Sequence, residues 1–290
     1  MKLTTRLATA VGAALLAGAL AAPAAVQAAG APVRAITRVT GDLYRFQNDQ
    51  HVTAFLVTPA GVVVSDPISL DAANWLRAEL ARRFNGAQVV AVLYSHHHWD
   101  HASGAAAFPG ARLIGRVEMT DALKGPLAGT PLADVRPPTE TYATPVHRVV
   151  VGGRTVEMHH VPGVHAPDMS LIHFPAEKAV LVVDTIALRT LPYNGPDFDD
   201  CAVATMATRV KALNADYVIG GHGAVGSNAD VDEQVAYMAD LRRGVQSGID
   251  AGRSLDQIKA SLKLERYADW NLYGARLAGN IEAMHRLLRR

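Results

Sequence analysis

Short apolar runs separated by turn residues make up the first part of the chain. Between residues 34 and 66, four such runs are divided by turn signals at residues 48–50 and 59–61. Apolar runs of this length between turns predict an antiparallel meander of β-strands. Residues 70–84 then show a helical period, and the continuous apolar run 89–94 predicts a buried parallel strand. The segment therefore predicts a β-meander followed by a β-α-β unit.

The rest of the chain continues with strands and helices. Four more apolar runs predict strands, at residues 155–161, 171–175, 179–183 and 216–220. Two longer segments predict helices, at residues 197–213 and 230–290. Residues 123–147, rich in proline and threonine, predict an irregular loop of a length that is usually functional or mobile. The C-terminal helical region begins at about residue 229.

The first 28 residues predict a secretory signal peptide. Lys2 and Arg6 give a positive start, an Ala-rich apolar run of about 15 residues follows, and a membrane span needs about 20. Pro23 interrupts the run, which also disfavours a membrane anchor. We expect cleavage after Ala28, a periplasmic location, a single mature domain over 29–290, and no membrane contact after cleavage.

Composition narrows the class of protein. The chain has 290 residues, 49% hydrophobic residues and a net charge of +1, which is ordinary for a globular domain and argues against a nucleic-acid partner. Cys201 is the only cysteine, so no disulfide can form within the chain. Its position in the predicted helix 197–213 favours a buried apolar role over a nucleophilic one.

Four metal-binding side chains follow the strand 89–94 within six residues. These are His96, His98, Asp100 and His101. Open α/β sheets place their ligand sites at the carboxyl ends of strands, and imidazole and carboxylate groups are the usual zinc ligands. The cluster predicts a metal site, whereas a fortuitous His-rich tract is the alternative if the cluster stood alone.

The cluster resembles the H-x-H-x-D-H signature of the metallo-β-lactamase superfamily of metallohydrolases. Three later segments are similar to its other motifs: His165-Ala166-Pro167-Asp168, Asp184 after an apolar strand, and the Gly-His-Gly turn at His222. The resemblance implies an α/β fold, an αββα sandwich of two mixed β-sheets flanked by helices. Asp184 is preceded by Val183, where the family usually has glycine.

The resemblance also implies a ligand set for two metal ions. By the family pattern, the first ion is held by His96, His98 and His165, the second by Asp100, His101 and His222, and Asp184 bridges them. The metals implied are two Zn²⁺, and the same ligands accept iron or manganese. Asp66 would support the metal loop, or else cap the following helix.

The chemistry implied is hydrolysis without a covalent intermediate. A metal-bound hydroxide would attack an ester-type or amide carbonyl, with lactams, lactones and thioesters included, and Asp100 would orient that hydroxide. The substrate would be a small molecule whose identity the sequence does not specify. No G-x-S-x-G motif is present, and no sequence signal indicates an oligomeric state.

Three other functions are weighed against this one. A true β-lactamase is supported by the leader and by residues 165–168, and opposed by His101 and by Asp184, which stands where the first subclass of zinc β-lactamases has cysteine. An iron-dependent oxidoreductase of the same superfamily is opposed by the lack of a flavin-binding or rhodanese-like extension. A binding module with a degenerate site is opposed by the complete ligand set.

Several other residues carry weaker hypotheses. His51, Arg189, Tyr193 and Asn194 could contact substrate, or could be ordinary loop residues. His97 is expected to pack or to support the site. The remaining histidines are interpreted as structural or exposed, namely His147, His159, His160, His173 and His285.

Overall fold

Two mixed β-sheets form the centre of the structure. The computed structural model describes residues 30–125 and 127–290, and the predicted signal peptide lies outside the described residues. Residues 32–290 form one compact unit. None of the described helices is both long enough and apolar enough to cross a bilayer.

Over the residues that the structure describes, the first sheet has seven strands whose spatial order follows the sequence. The strands are β1 (Arg34–Thr40), β2 (Leu43–Asn48), β3 (His51–Thr58), β4 (Gly61–Ser65), β5 (Val89–Leu93), β6 (Arg112–Arg116) and β7 (Glu140–Tyr142). β1 to β4 pair antiparallel, as the predicted meander requires. β4 to β7 pair parallel, so the predicted β-α-β unit is confirmed.

The second sheet has six strands in the order β13-β12-β11-β10-β9-β8. The strands are β8 (Val146–Val151), β9 (Arg154–His160), β10 (Ser170–Phe174), β11 (Ala179–Val182), β12 (Tyr217–Gly220) and β13 (Val225–Gly226). All neighbours pair antiparallel except β11 and β12, which are parallel.

In the described part of the chain, seven α-helices accompany these strands. They are α1 (Leu70–Arg83), α2 (Trp99–Ala102), α3 (Val117–Ala122), α4 (Asp200–Ala212), α5 (Asn228–Asp250), α6 (Leu255–Ser261) and α7 (Tyr273–Leu288). The hydroxyl of Ser69 caps α1 by accepting from the backbone N–H of Ala72, and Ser227 and Asp230 form a capping box at α5. These caps satisfy backbone donors that a helix start leaves free.

Three apolar layers hold the sheets and helices together. Side chains of both sheets, such as Leu56 and Phe174, fill the layer between the sheets. Leu76 of α1 packs on the outer face of the first sheet, and helices α4, α5 and α7 cover the outer face of the second, for example through Ile281. The predicted αββα sandwich of two mixed sheets is therefore confirmed.

Three local predictions are corrected. Cys201 is exposed, because it lies in the first turn of α4, and the buried residues of this helix begin at Val203. The helical period of residues 70–84 predicts Ala81 on the buried stripe with Leu76 and Leu80, but Ala81 is exposed, and α1 buries Ala72 and Ala73 instead. The segment 123–147 is not irregular throughout, because its last part forms β7 and the start of β8.

Candidate metal centre

The histidine-rich loop starts where β5 ends, at the edge between the two sheets. The backbone N–H of Ser95 donates to Asp66 Oδ1 over 2.8 Å, and the Ser95 carbonyl accepts from the Ser170 N–H of β10 over 2.8 Å. These bonds tie the loop to both sheets. Asp66 thus supports the loop as the resemblance implies, and the alternative of capping α1 is wrong because Ser69 is the cap.

Gly104 allows the segment after the loop to pack closely. A Cβ on this residue would lie 2.3 Å from the Pro67 carbonyl oxygen and 2.6 Å from that of Ser69. Such contacts are too short for any larger residue without backbone movement. The glycine therefore lets the chain that carries His101 lie against the end of β4.

The first group of predicted ligands converges. His96, His98, His165 and Asp184 offer ligand atoms that lie within 4.8 Å of one another. Nε2 of His165 lies 3.0 Å from Nδ1 of His98 and 3.3 Å from Nε2 of His96. His96 is completely buried. Imidazole nitrogens directed at one another need a shared cation or proton.

The second group converges beside it and includes one further residue. Asp100, His101 and His222 lie together with His51, again with ligand atoms within 4.8 Å of one another. Nε2 of His101 lies 3.3 Å from Nε2 of His222, and Nε2 of His51 lies 3.3 Å from Asp100 Oδ2. His51 therefore lies among the metal-binding groups, at the start of β3.

Asp184 joins the two groups through its two oxygens. Oδ2 lies 3.1 Å from Nε2 of both His96 and His165, whereas Oδ1 lies 3.1 Å from Nε2 of His101 and 2.9 Å from Nε2 of His222. This is the geometry that a bridging carboxylate requires. The chain reaches it with Asp184 at φ 59°, a left-handed conformation that is costly for a residue with a side chain.

His165 is also placed by unusual backbone. Both Gly163, at φ 74°, and His165, at φ 58°, are left-handed, and together they reverse the chain between β9 and β10. With this reversal, the His165 imidazole faces His96 and His98. Such strain is typical of functional sites, because the surrounding structure must maintain it.

The charges of the site favour a bound cation. Burial opposes ionisation of Asp184, but the nearby His101 and hydrogen bonds from the imidazoles hold its pKa well below the usual range. Burial alone would lower the pKa of His101, but the negative charges of Asp184 and Asp66 raise it to about 9. For His96, burial dominates and lowers the pKa to about 4. A buried, ionised carboxylate among imidazoles requires compensating positive charge.

The donor set fits divalent metal ions. In a tetrahedral site, nitrogen and oxygen ligands lie about 2.0–2.2 Å from the metal and therefore about 3.3 Å from one another. The nitrogen–nitrogen and nitrogen–oxygen separations in both groups are close to this value. Asp184 supplies one oxygen to each group. Imidazole and carboxylate ligands suit zinc, iron and manganese.

A surrounding set of contacts orients the imidazoles, and sequence reasoning missed most of it. Nδ1 of His165 donates to Asp197 Oδ2 over 2.5 Å, and Nδ1 of His222 donates to the carbonyl of Gln50 over 2.9 Å. Partners of this kind fix the tautomer and raise the basicity of a metal-binding histidine. No motif marks Asp197 or Gln50, because each is brought to the site by distant parts of the chain.

His97 turns away from the site. Its Nδ1 lies 2.7 Å from Oδ1 of Asp168, a carboxylate that is almost fully buried. The pair joins the metal loop to the loop that carries His165. A supporting role for His97 agrees with this contact.

A pocket of about 500 Å³ opens onto the two ligand groups. Beyond the ligands and Asp197, its wall consists of Trp99, Ile186, Ala187, Thr190, Tyr193, Pro196 and Arg276. Most of the wall comes from the segment after Asp184 and from α7. No described residue of 123–147 lines it.

Arg276 is the one lysine or arginine that lines the pocket among the described residues, and sequence reasoning missed it. Its guanidinium donates to the Leu191 carbonyl over 2.9 Å and lies 5.9 Å from the ring centre of Tyr193. Burial lowers the pKa of Arg276, and the described residues supply it with no ion pair. Arg189, in contrast, pairs with Asp269 and does not line this pocket.

Comparison with known proteins agrees with this geometry. A family model of the metallo-beta-lactamase superfamily matches residues 48–222. A linear primary-alkylsulfatase of Pseudomonas sp. (strain ATCC 19151) is 23% identical over 269 residues, covering 73% of this chain and 50% of the relative. The chain thus spans about half the length of this curated relative.

Two solved structures share the fold. An inverting sec-alkylsulfatase from Pseudomonas sp. aligns over 88% of this chain and 50% of its own, with a TM-score of 0.68 and 17% identity. A metallo-beta-lactamase from Pontibacter korlensis aligns over 70% of this chain and 98% of its own, with a TM-score of 0.60 and 16% identity. Because the family model spans more than half of the chain and includes all seven predicted ligands, the chain belongs to the metallo-beta-lactamase superfamily.

Proposed function

We propose that the protein is an exported, binuclear zinc hydrolase that cleaves ester-type or amide bonds of small molecules, lactones, lactams and thioesters included. The observation that carries this proposal is Asp184, whose two oxygens face two separate groups of imidazoles at the floor of an open pocket. His96, His98 and His165 would hold one ion, and Asp100, His101 and His222 the other. His51 is placed to add a further nitrogen to the second group.

The residues of the chain divide the work of hydrolysis. Two bound cations would lower the pKa of a water molecule toward about 7 and polarise the scissile carbonyl. Burial would raise the pKa of Asp100, yet the hydrogen bond with His51 lowers it to about 2. Asp100 is therefore an acceptor at neutral pH and would orient the attacking water. Asp197 and Gln50 keep their imidazole partners in the ligand tautomer.

Arg276 indicates the class of substrate. A desolvated guanidinium without an ion pair favours an anionic ligand group, and Trp99, Ile186 and Tyr193 offer apolar surface beside it. We propose a substrate that carries both an apolar part and an acidic group. Tyr193, which is 71% exposed, would lie at the pocket mouth.

Sulfate esters are a second candidate substrate. The similarity to a primary-alkylsulfatase over 73% of the chain favours them, as does the Arg276 guanidinium beside the apolar residues of the described pocket wall. An alkyl sulfate combines an apolar chain with an acidic ester group. Turnover of nitrocefin tests for β-lactamase activity. Iron in the native metal content would favour the alternative of an iron-dependent oxidoreductase.

The first experiment measures metal content and activity together. Chelator treatment should abolish turnover, and added Zn²⁺ should restore it, because the bound ions would activate the water and polarise the carbonyl. Metal-loaded protein would then be assayed against lactam, lactone, thioester, phosphoester and alkyl sulfate substrates. Less than one metal equivalent per chain, or activity that survives metal removal, would contradict the proposal.

The second experiment tests the role of Arg276. Arg276→Met should raise KM for acid-bearing substrates by about 10–100-fold, since hydrogen bonds to charged groups contribute about 1.5–3 kcal/mol. Turnover of a neutral ester should stay unchanged. Arg209→Met, on an exposed position of α4, is the matched control.

Export is tested separately. The intact mass of protein recovered from the periplasm should correspond to a chain that begins after Ala28. A mass that still includes Met1 would overturn the export proposal and leave the hydrolase proposal intact.

A further inference from the structure

A second histidine cluster lies on the outer face of the second sheet. Glu157 and His159 are two residues apart on β9, so they project to the same face. His173 of β10 is the direct cross-strand partner of Glu157. Their neighbours Met158 and Ile172 point the other way, into the layer between the sheets. None of these three residues belongs to the ligand groups of the catalytic pocket.

Both imidazoles point at the same carboxylate oxygen of Glu157. Nε2 of His159 lies 3.0 Å from Glu157 Oε2, and Nδ1 of His173 lies 3.1 Å from the same oxygen. All three ligand atoms lie within 4.8 Å of one another. The side chain of His173 is 11% exposed and that of Glu157 14% exposed, which is low for polar groups on an outer sheet face.

The carboxylate of Glu157 is already held from its other side. Arg148 of β8 donates to Oε1 over 2.9 Å, which leaves Oε2 free to face the histidines. Carboxylate ligands of metals are usually fixed by such an outer hydrogen bond.

We propose that Glu157, His159 and His173 form an additional binding site for a divalent transition metal ion of the zinc class. Two imidazole nitrogens and one carboxylate oxygen, about 3 Å from one another in two of the three pairs, match three corners of a tetrahedral site and leave the fourth for water. The three residues are distinct from those of the binuclear centre.

A bound ion at this site would act as a clamp on a hairpin. β9 and β10 are joined by residues 161–169, the loop that carries His165 and Asp168. A metal that links His159 to His173 would hold the two strands that support this loop. The expected effect is therefore on stability, because a ligand that binds only the folded state raises the melting temperature.

The test is a Zn²⁺ titration of chelator-stripped, full-length protein, followed by calorimetry and by metal analysis after loading. The wild type should bind one equivalent more than His159→Gln or Glu157→Gln, and excess Zn²⁺ should raise its Tm further than theirs. His285→Gln, on α7 and outside every metal-binding group of the described residues, is the control and should match the wild type. Equal stoichiometry in all four proteins would overturn the proposal.

A measurement on unmutated protein removes any dependence on variant folding. Crystals soaked in Zn²⁺ should show an anomalous peak at the zinc edge between Nε2 of His159, Nδ1 of His173 and Oε2 of Glu157. Density without such a peak at saturating Zn²⁺ would contradict the site. Neither readout uses turnover, so the result is independent of the proposed hydrolase activity.

Discussion

The Asp66 carboxylate accepts a 2.8 Å hydrogen bond from the backbone N–H of Ser95, joining the end of β4 to the first residue of the histidine-rich loop. Asp66 is fully buried, and burial raises its pKa to about 6. The parallel pairing of β4 with β5 brings these two residues together. The position of the metal loop thus depends on a residue that lies 29 positions earlier in the chain.

Removing this acceptor should weaken metal binding without deleting a ligand. We expect Asp66→Ala to lower metal affinity by about 10–100-fold, as changes to groups that support ligands do. Loss of the acceptor would leave the Ser95 N–H unpaired at a cost of about 1–3 kcal/mol. Competition with a chromogenic chelator measures the affinity. Asp66→Asn keeps an acceptor oxygen and should lose less; an Ala variant with wild-type affinity would refute the role.

His97 and His98 should respond differently to the same substitution. His98→Ala removes a proposed ligand and should abolish metal binding and activity together. His97→Ala should retain both but lose about 3–5 kcal/mol of stability, because Asp168 would be left as a buried, unpaired carboxylate. Metal analysis, activity and urea unfolding of both variants separate the two effects. Loss of metal from His97→Ala would show that this residue does more than support the loop.

Asn280 connects α7 to the wall of the pocket. Its side chain is fully buried, accepts from the Tyr237 hydroxyl over 2.7 Å and donates to the Pro192 carbonyl over 3.0 Å. Asn280→Ala should cost about 1–3 kcal/mol in the free energy of unfolding, measured in urea, and should raise KM because Pro192 borders Tyr193. Tyr237→Phe removes only the hydrogen bond between α5 and Asn280 and leaves the bond to Pro192, so its KM should stay close to that of the wild type.

The pH dependence of stability should report the Glu157 cluster. Burial would raise the pKa of Glu157, but hydrogen bonds from His159, His173 and Arg148 lower it from 4.5 to about 2. A carboxylate with a lowered pKa stabilises the fold above its unfolded-state pKa, and this contribution is lost as the pH falls through the folded-state value.

In chelator, the stability difference between wild type and Glu157→Gln should therefore persist down to about pH 4.5 and vanish toward about pH 2. Urea unfolding at a series of pH values measures it. A difference that stays constant over this range would show that the ionised carboxylate is not what the three partners stabilise.

Some features of the fold and site follow from local sequence. The meander β1 to β4, helix α1 and strand β5 were predicted within one or two residues, because apolar periodicity reports which face of an element is buried. The seven proposed ligands were also identified from motifs, and the structure brings them together around Asp184. Each motif is short and lies at the end of a strand, so it can be recognised without the rest of the fold.

Other features have no local signal. Arg276 comes from α7 and Asp197 from the loop before α4, and no spacing in the sequence relates these residues to the ligands. Cys201 was predicted buried because helical periodicity does not say how a helix end lies on the surface. A loop separates His173 from Glu157 and His159, and only the strand register makes them neighbours.

The sequence by itself determined the family, the order of most strands and helices and the residues able to bind metal, because these depend on side-chain type and on short-range spacing. Only the tertiary structure decided which groups share the pocket, which carboxylates hold the imidazoles and which histidines outside it converge. Those relationships arise from long-range packing of the two sheets and the C-terminal helices, where small differences in register and burial decide which side chains meet.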